Sequence, residues 1–311
     1  MNFRTPVSPL KGLRGIISHD APVVLVGSCF SDNIGAELQA DLFDAVVNPF
    51  GPLYNPASIR EAVAILTARR EVTAEELFEH GGMWHSWQFH SRYSSHSREE
   101  AMTAMNRSIS DASDALGRAS AVIITLGTTR VYERDGRCVA NCHKMPGRDF
   151  TSRLLHLGEV SEILSDIVGT LRSFNPTLKI IFTVSPLRYL GNGARENTVI
   201  KSTLHLAVDS LGDDVIYFPA YEIVNDDLRD YRFYADDMIH PSASAVRYIY
   251  DIFGQTFFTP QTLALAAEGR RLTRRLSHKS FSGTDTQVPE LEILEKHPAL
   301  KAGFNRFTYR S

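Results

Sequence analysis

The sequence predicts an α/β protein: a three-layer, doubly wound, mostly parallel five-stranded sheet with an aromatic insertion and a C-terminal helical extension. Three observations predict it. Five short apolar runs recur along the chain, each the length of a strand buried on both faces. Between them lie longer amphipathic stretches, as right-handed parallel crossovers require. Polar residues gather just after the apolar runs, where the carboxyl edge of such a sheet would lie.

Taken in order, the first run is Val23–Val26, followed by Gly27-Ser28-Cys29 at a strand-to-helix corner. The second is Phe43–Val47, with a helix expected near 57–69. An insertion at about 78–96 follows, dense in Trp84, His85, Trp87, Phe89 and His90. It reads either as an aromatic lid or sugar-stacking surface, or as a small satellite core. A helix near 97–118 leads into the third run, Ala121–Leu126. Arg130–Glu133 then pairs with Arg137–Ala140 across Arg134-Asp135-Gly136, because Asp-Gly is a strong hairpin turn. Helices near 159–173, 196–210 and 242–257 separate the remaining runs, Leu178–Val184 and Asp214–Phe218. The core domain is expected to span 1–258, leaving 259–311 as an extension. It comprises a helix over Gln261–Leu276, a polar stretch from Ser277 to Gln287 and a tail. Arg270, Arg271, Arg274 and Arg275 on that helix read as a solvated face.

Composition narrows the function. With 311 residues, 43% hydrophobic and 22% charged, the chain is an ordinary globular protein able to bury a full core. A net charge of -3 provides no global field to recruit nucleic acid or an anionic membrane. No apolar run reaches membrane-spanning length, and the segment from Met1 to Pro6 lacks a secretory apolar region. Three cysteines, Cys29, Cys138 and Cys142, do not make a disulfide framework, so a reducing cytoplasm is the expected location.

Two constellations could carry chemistry. Asp237 and His240 have the Asp-x-x-His spacing, which can set a carboxylate beside an imidazole within one turn. Asp237 could equally cap the helix that opens at Pro241-Ser242, leaving His240 an incidental surface residue. At Gly27-Ser28-Cys29, a nucleophile would sit at a helix N-terminus, where N–H groups favour negative charge. The competing reading makes Ser28 a helix cap and Cys29 a small buried hydrophobe. Asn141-Cys142-His143-Lys144 reads either as a pocket edge, with Lys144 or Arg188 holding an anionic group, or as a loop bracing the hairpin. Cys138, Cys142, His143 and His240 do not have a compact zinc spacing, so no metal is expected.

The run Gly27-Ser28-Cys29-Phe30-Ser31 resembles the signature of the GSCFA family, with Ser31 in place of the final alanine. Further matches are Asn48-Pro49-Phe50-Gly51-Pro52-Leu53-Tyr54-Asn55-Pro56, Thr125-Leu126-Gly127-Thr128, Asn141 to Lys144, Ser185-Pro186-Leu187-Arg188, Phe218-Pro219-Ala220-Tyr221-Glu222 and Leu228 to Tyr234. They cover roughly residues 20 to 258. That family resembles the SGNH (GDSL-type) hydrolases, which implies a flavodoxin-like strand order and an acyl-ester hydrolase or acyltransferase activity.

Carried over by position, the resemblance puts Cys29 on the nucleophile, with Ser28 where relatives keep an aspartate. Asp237 and His240 fall on the closing pair. Gly51 corresponds to the glycine oxyanion donor, and Gly127-Thr128-Thr129 to the Gly-x-Asn, with Thr129 in place of asparagine. Cys29 and Gly51 N–H groups would then hold the oxyanion, helped by Thr129 or Asn141. A cysteine in place of serine points to a thioester intermediate resolved by water or another acceptor, with no cofactor. A small-molecule substrate is expected, an acylated sugar by analogy with the superfamily. The rival reading is a non-catalytic module that keeps the pocket to hold a small ligand or glycan, and a serine mechanism through Ser28 stands second to Cys29.

Overall fold

The computed structural model describes residues 4–279 and 293–308. Much of the polar stretch expected up to Gln287 therefore lies outside the described residues.

The five apolar runs form one parallel sheet. Its strands are β1 (Val23–Gly27), β2 (Ala45–Val47), β5 (Ala121–Leu126), β9 (Lys179–Val184) and β10 (Ile216–Tyr217). They lie in the order β10-β9-β5-β1-β2, the flavodoxin-like arrangement. Val23 to Gly27 pair in register with Ala121 to Thr125, and Ala121 to Leu126 with Lys179 to Val184. β1 and β5 are buried along their whole length and β9 from Ile180 onward, so alternate residues serve two separate cores. Val24, Val26, Ile124 and Phe182 face α2 (Pro56–Ala68), α3 (Arg98–Arg118), α4 (Leu157–Phe174) and α5 (Ala194–Asp209). Val23, Leu25, Ile123 and Ile181 face α1 (Cys29–Ala40) and α7 (Ala243–Phe257). The three layers follow directly from that alternation.

The outer strands are shorter than their apolar runs. Phe43 and Phe218 stay buried but lie outside the ladder, packing beside it. In the insertion, β3 (Leu77–His80) and β4 (Met83–Ser86) form an antiparallel hairpin. The hairpin expected after the third strand is β6 (Arg130–Arg134) with β7 (Arg137–Val139), turned by Asp135 and Gly136, both at positive φ. A third strand, β8 (Thr151–Leu154), pairs with β6. Its exposed Thr-Ser-Arg sequence carries no apolar pattern that would announce it.

The extension is tied to the core. Helix α8 (Pro260–Lys279) and the last helix, Lys301–Thr308, pack on the turn between α1 and β2, where Leu42 joins Leu272, Leu294 and Leu300. One expectation for α8 is corrected here. Arg271, Arg274 and Arg275 are exposed, but Arg270 ion-pairs with Glu37 and Asp41. It faces the core because it follows Ala266 and precedes Thr273 on the buried stripe of the helix. No described helix is long and apolar enough to cross a membrane.

Candidate active site

The carboxyl edge of the sheet begins at Gly27. Its φ is +146°, and a Cβ there would lie 2.2 Å from the Thr125 carbonyl oxygen, so only glycine lets β1 pass β5 at this point. Ser28 follows as the N-cap of α1: its hydroxyl accepts the Phe30 N–H at 3.4 Å, and its own N–H donates to Thr125 O at 3.1 Å. At 1% exposure, Ser28 is buried in the cap. Cys29 is the first residue of α1 and is only partly buried. Burial pushes its thiol above the ordinary range, with Asp32 adding to the shift; the first-turn N–H groups and Lys201 pull the other way.

The loop after β2 braces this corner. Asn48, at φ +44°, accepts the Gly27 N–H on Oδ1 at 2.9 Å and donates to Asp32 at 2.9 Å. Gly51, expected as an oxyanion donor, gives its N–H to Asn48 O at 2.8 Å. Its glycine character serves a different purpose, since a Cβ at Gly51 would lie 2.1 Å from His90 Cβ. Tyr54 O receives the N–H groups of Gly127 and Thr128, at 2.9 and 2.8 Å. Burial, and then Cys29 and Asp32, push the Tyr54 phenol up to about 12. Thr129 is buried, and its carbonyl receives the Leu155 N–H.

The second candidate group is a loop before α7. Asp237 Oδ1 accepts the N–H groups of Ile239 and His240 at 2.8 and 2.9 Å. Oδ2 accepts Nδ1–H of the His240 ring at 2.6 Å. These donors, the two backbone groups most of all, hold the Asp237 carboxyl down at about 2. The capping role considered for Asp237 belongs to Ser242, whose hydroxyl accepts the Ala245 N–H. Arg188 ties the loop to the end of β9: its N–H donates to Ile239 O and its guanidinium to Met238 O. That guanidinium also stands over the rings of Tyr231 and Tyr234, at 5.8 and 5.7 Å, at the edge of a cavity of about 250 Å³.

The structure thus brings Ser28, Cys29 and Gly127 together, and Asp237, His240 and Arg188 together. Among the described residues no hydrogen bond joins His240 to Cys29 or Ser28. Asn141, His143 and Lys144 form a different cluster. Asn141 Oδ1 caps the His143 N–H at 2.8 Å, and Lys144 is exposed. His143 is buried, with Nε2–H donated to Ser86 O at 2.8 Å and Nδ1 facing Ser91 Oγ at 3.2 Å. Both ring nitrogens are engaged, so His143 braces the insertion instead of lining a pocket. Burial first, then neighbouring histidines, lower its pKa to about 4. The aromatic insertion around it is packed, with Phe78 stacked on Trp87 at 3.7 Å and His85 4.4 Å from His143. Among the described residues no three His, Cys, Asp or Glu side chains are grouped to hold a metal. A larger cavity of about 960 Å³, between α3 and the last helix, holds none of these residues.

Three contributors were not singled out from the sequence: Asn48, Tyr54 and Lys201. Lys201 is the least expected, a lysine only 2% exposed whose Nζ donates to Gly127 O at 2.9 Å and Ser185 O at 2.8 Å. A signal for it does exist. It lies three residues before Leu204 and seven before Val208, on the buried stripe of α5.

A doubly wound α/β domain with a capped strand-to-helix corner after β1 and an Asp–His loop before α7 defines the class of protein. The chain belongs to the GSCFA family, whose sequence model matches residues 22–253. No curated protein matches it significantly. Among solved structures it is similar to a carbohydrate esterase family 3 protein from Talaromyces cellulolyticus, at 10% identity and a TM-score of 0.37, covering 80% of this chain and 99% of that one. It is also similar to a carbohydrate esterase family 2 enzyme with a carbohydrate-binding domain from Corynascus thermopiles (Myceliophthora fergusii), at 14% identity and a TM-score of 0.38, covering 85% and 68%. A third is an acetyl xylan esterase from the rumen bacterium Butyrivibrio proteoclasticus, at 13% identity and a TM-score of 0.36, covering 81% and 64%.

Proposed function

We propose that the protein is an acyl-ester hydrolase or acyltransferase in which Cys29 is the nucleophile, His240 the base and then the acid, and Asp237 the residue that orients His240. The observation that carries this reading is the 2.6 Å bond from His240 Nδ1–H to Asp237 Oδ2. It leaves Nε2 as the unprotonated nitrogen, and the carboxylate stabilises the imidazolium once a proton arrives. The Cys29 proton passes to Nε2 as sulfur attacks the acyl carbon, and the developing oxyanion meets first-turn N–H groups of α1. His240 then returns the proton to the leaving alkoxide. Water or a hydroxyl acceptor attacks the thioester, and the thiol is restored. Ser28 is disfavoured because its oxygen is buried in the helix cap. The Arg188–Tyr231–Tyr234 cavity beside the Asp–His loop supports a polar substrate with a face to stack, for which an acylated sugar is the class proposed.

A panel of acetylated sugars and an aryl acetate tests this. Cys29→Ala and His240→Ala should each lose on the order of 10³-fold in rate, while Ser28→Ala keeps most of it. During turnover the wild type should carry an acyl group on Cys29 that neutral hydroxylamine removes. A second reading, a binding module without turnover, is favoured by the absence of a bond from His240 to Cys29. It prevails if no acyl adduct forms and neither iodoacetamide nor a fluorophosphonate labels the corner.

A further inference from the structure

Of the two cations considered for an anionic group, Lys144 belongs to the separate Asn141–His143 cluster, whereas Arg188 stands beside the Asp–His loop. Arg188 is half-buried, and among the described residues no carboxylate pairs with it. A guanidinium has five N–H donors, and the protein takes up one of them, at the Met238 carbonyl 3.3 Å away. Among the same residues neither the Tyr231 nor the Tyr234 hydroxyl makes a hydrogen bond. The two ring centres are 6.2 Å apart, about as far from each other as each is from the guanidinium carbon. The three groups form a triangle, with both rings on one side of the cation and the opposite side clear of them.

The charges lining the cavity lean the same way. They are Arg188, Arg229 and a single acid, Asp230. Asp230 is already engaged: its carboxylate accepts the Arg232 N–H at 2.9 Å and lies 3.5 Å from the Arg232 guanidinium. Arg229 has only a loose, exposed partner in Asp226, at 3.7 Å. The cavity therefore presents donors and positive charge without a matching anion from the chain. Asn225 adds an acceptor for a hydroxyl, since its Nδ2 is given to Tyr221 O at 2.8 Å and its Oδ1 is not used. At about 250 Å³ the cavity is smaller than the roughly 300–1,000 Å³ that encloses a whole drug-sized ligand, so it suits one ring or its side group. Its walls reach the chemistry directly. Arg188 bonds to Met238 and Ile239, and Tyr234 pairs with Pro241, the neighbours of His240 on either side.

We propose that the acylated sugar carries an anionic group, a carboxylate or a phosphate, and that Arg188 is the specificity-determining residue that binds it, helped by the hydroxyls of Tyr231 and Tyr234. An anion accepts from several of these donors at once, and a planar guanidinium fork strengthens and orients such bonds. This rests on the proposed reading of Asp237 and His240 as the acid–base pair, and it narrows the substrate class from acylated sugars to acidic ones.

The test offers the full chain three probes: an acetylated methyl glucuronoside, its uronamide, and an acetylated methyl glucoside phosphate. The uronamide matches the first in shape and lacks its charge. Wild type should take one of the two anionic esters with a kcat/KM about tenfold above the uronamide, chiefly through KM, and the preferred one identifies the anion. Arg188→Gln should bring that ratio close to unity, and Arg188→Lys should restore part of it through charge alone. Binding of the deacetylated probes, followed by NMR titration, should show the same order and weaken with added salt. If Arg188→Gln does not fold, the wild-type ratio and titration decide alone. A wild-type ratio near unity, or one unchanged in folded Arg188→Gln, overturns the proposal and leaves the proposed function standing. Anion-selective binding that Arg188→Gln abolishes, in a protein that turns over none of the esters, would instead overturn the proposed function and leave the subsite.

Discussion

Gly27 donates its N–H to Asn48 Oδ1 at 2.9 Å, so the strand end that carries the corner is fixed by a side chain from the next strand's loop. The same amide holds Asp32 in the first turn of α1. Asn48→Ala should lose about 1–3 kcal/mol in urea denaturation, because it strands a buried N–H and forces an alanine to φ +44°. Asn48→Gly loses the same bonds without the backbone strain, and should be the more stable variant by about 1 kcal/mol.

Gly51 and His90 are a packing pair. Gly51→Ala should destabilise the protein by at least about 2 kcal/mol, through contact with His90 Cβ and an unfavourable φ of +85°. His90→Gly removes the first of these causes only. The double variant should therefore recover part of the loss, with a coupling of about 0.5–3 kcal/mol. Simple additivity would mean that the two residues do not meet.

His143 makes stability depend on pH. Its folded pKa of about 4 lies below the ordinary 6.5, so between those values the unfolded chain binds the extra proton. Its contribution is fully present above about pH 6.5, declines as pH falls towards 4, and levels off below. His143→Gln should flatten that slope relative to wild type in denaturation curves measured from pH 7 to 4.

Asp237 acts in the same sense but in a lower pH window. A carboxyl held at about 2 stabilises the fold above the ordinary value near 3.8, and that contribution disappears as pH falls towards 2. Two of its three donors are backbone N–H groups of Ile239 and His240. In His240→Ala the carboxyl midpoint, followed by carbon NMR, should therefore rise but remain below 3.8.

Arg270→Gln should cost about 1–3 kcal/mol, since it leaves Asp41 and Glu37 without their cation. Arg271→Gln, on the exposed side of the same helix, should change stability by less than about 0.5 kcal/mol.

These contrasts show what the chain discloses by itself. β5 is legible to the residue because Ala121–Leu126 is an unbroken apolar run, and α7 nearly so because Ser242 caps it. β8 was not legible, being polar and held only by pairing with β6. Asp237 and His240 could be read from their spacing, because both ends of their bond lie within one loop. Lys201 and Arg270 could not be read so directly: each looks like a surface cation in sequence, and the partners Gly127 and Asp41 lie 74 and 229 residues away. Gly51 was legible as a special glycine, but its reason, the approach of His90, exists only in three dimensions.

The extension has a consequence for how the molecule is made. The turn at residues 41–44 is among the first parts of the sheet domain to leave the ribosome, yet Asp41 waits 229 residues for Arg270 and Asp44 waits 262 for Arg306. Until then its carboxylates and Leu42 stay wet. The first strand–helix–strand unit can therefore form early but is sealed only once these two later helices have been made.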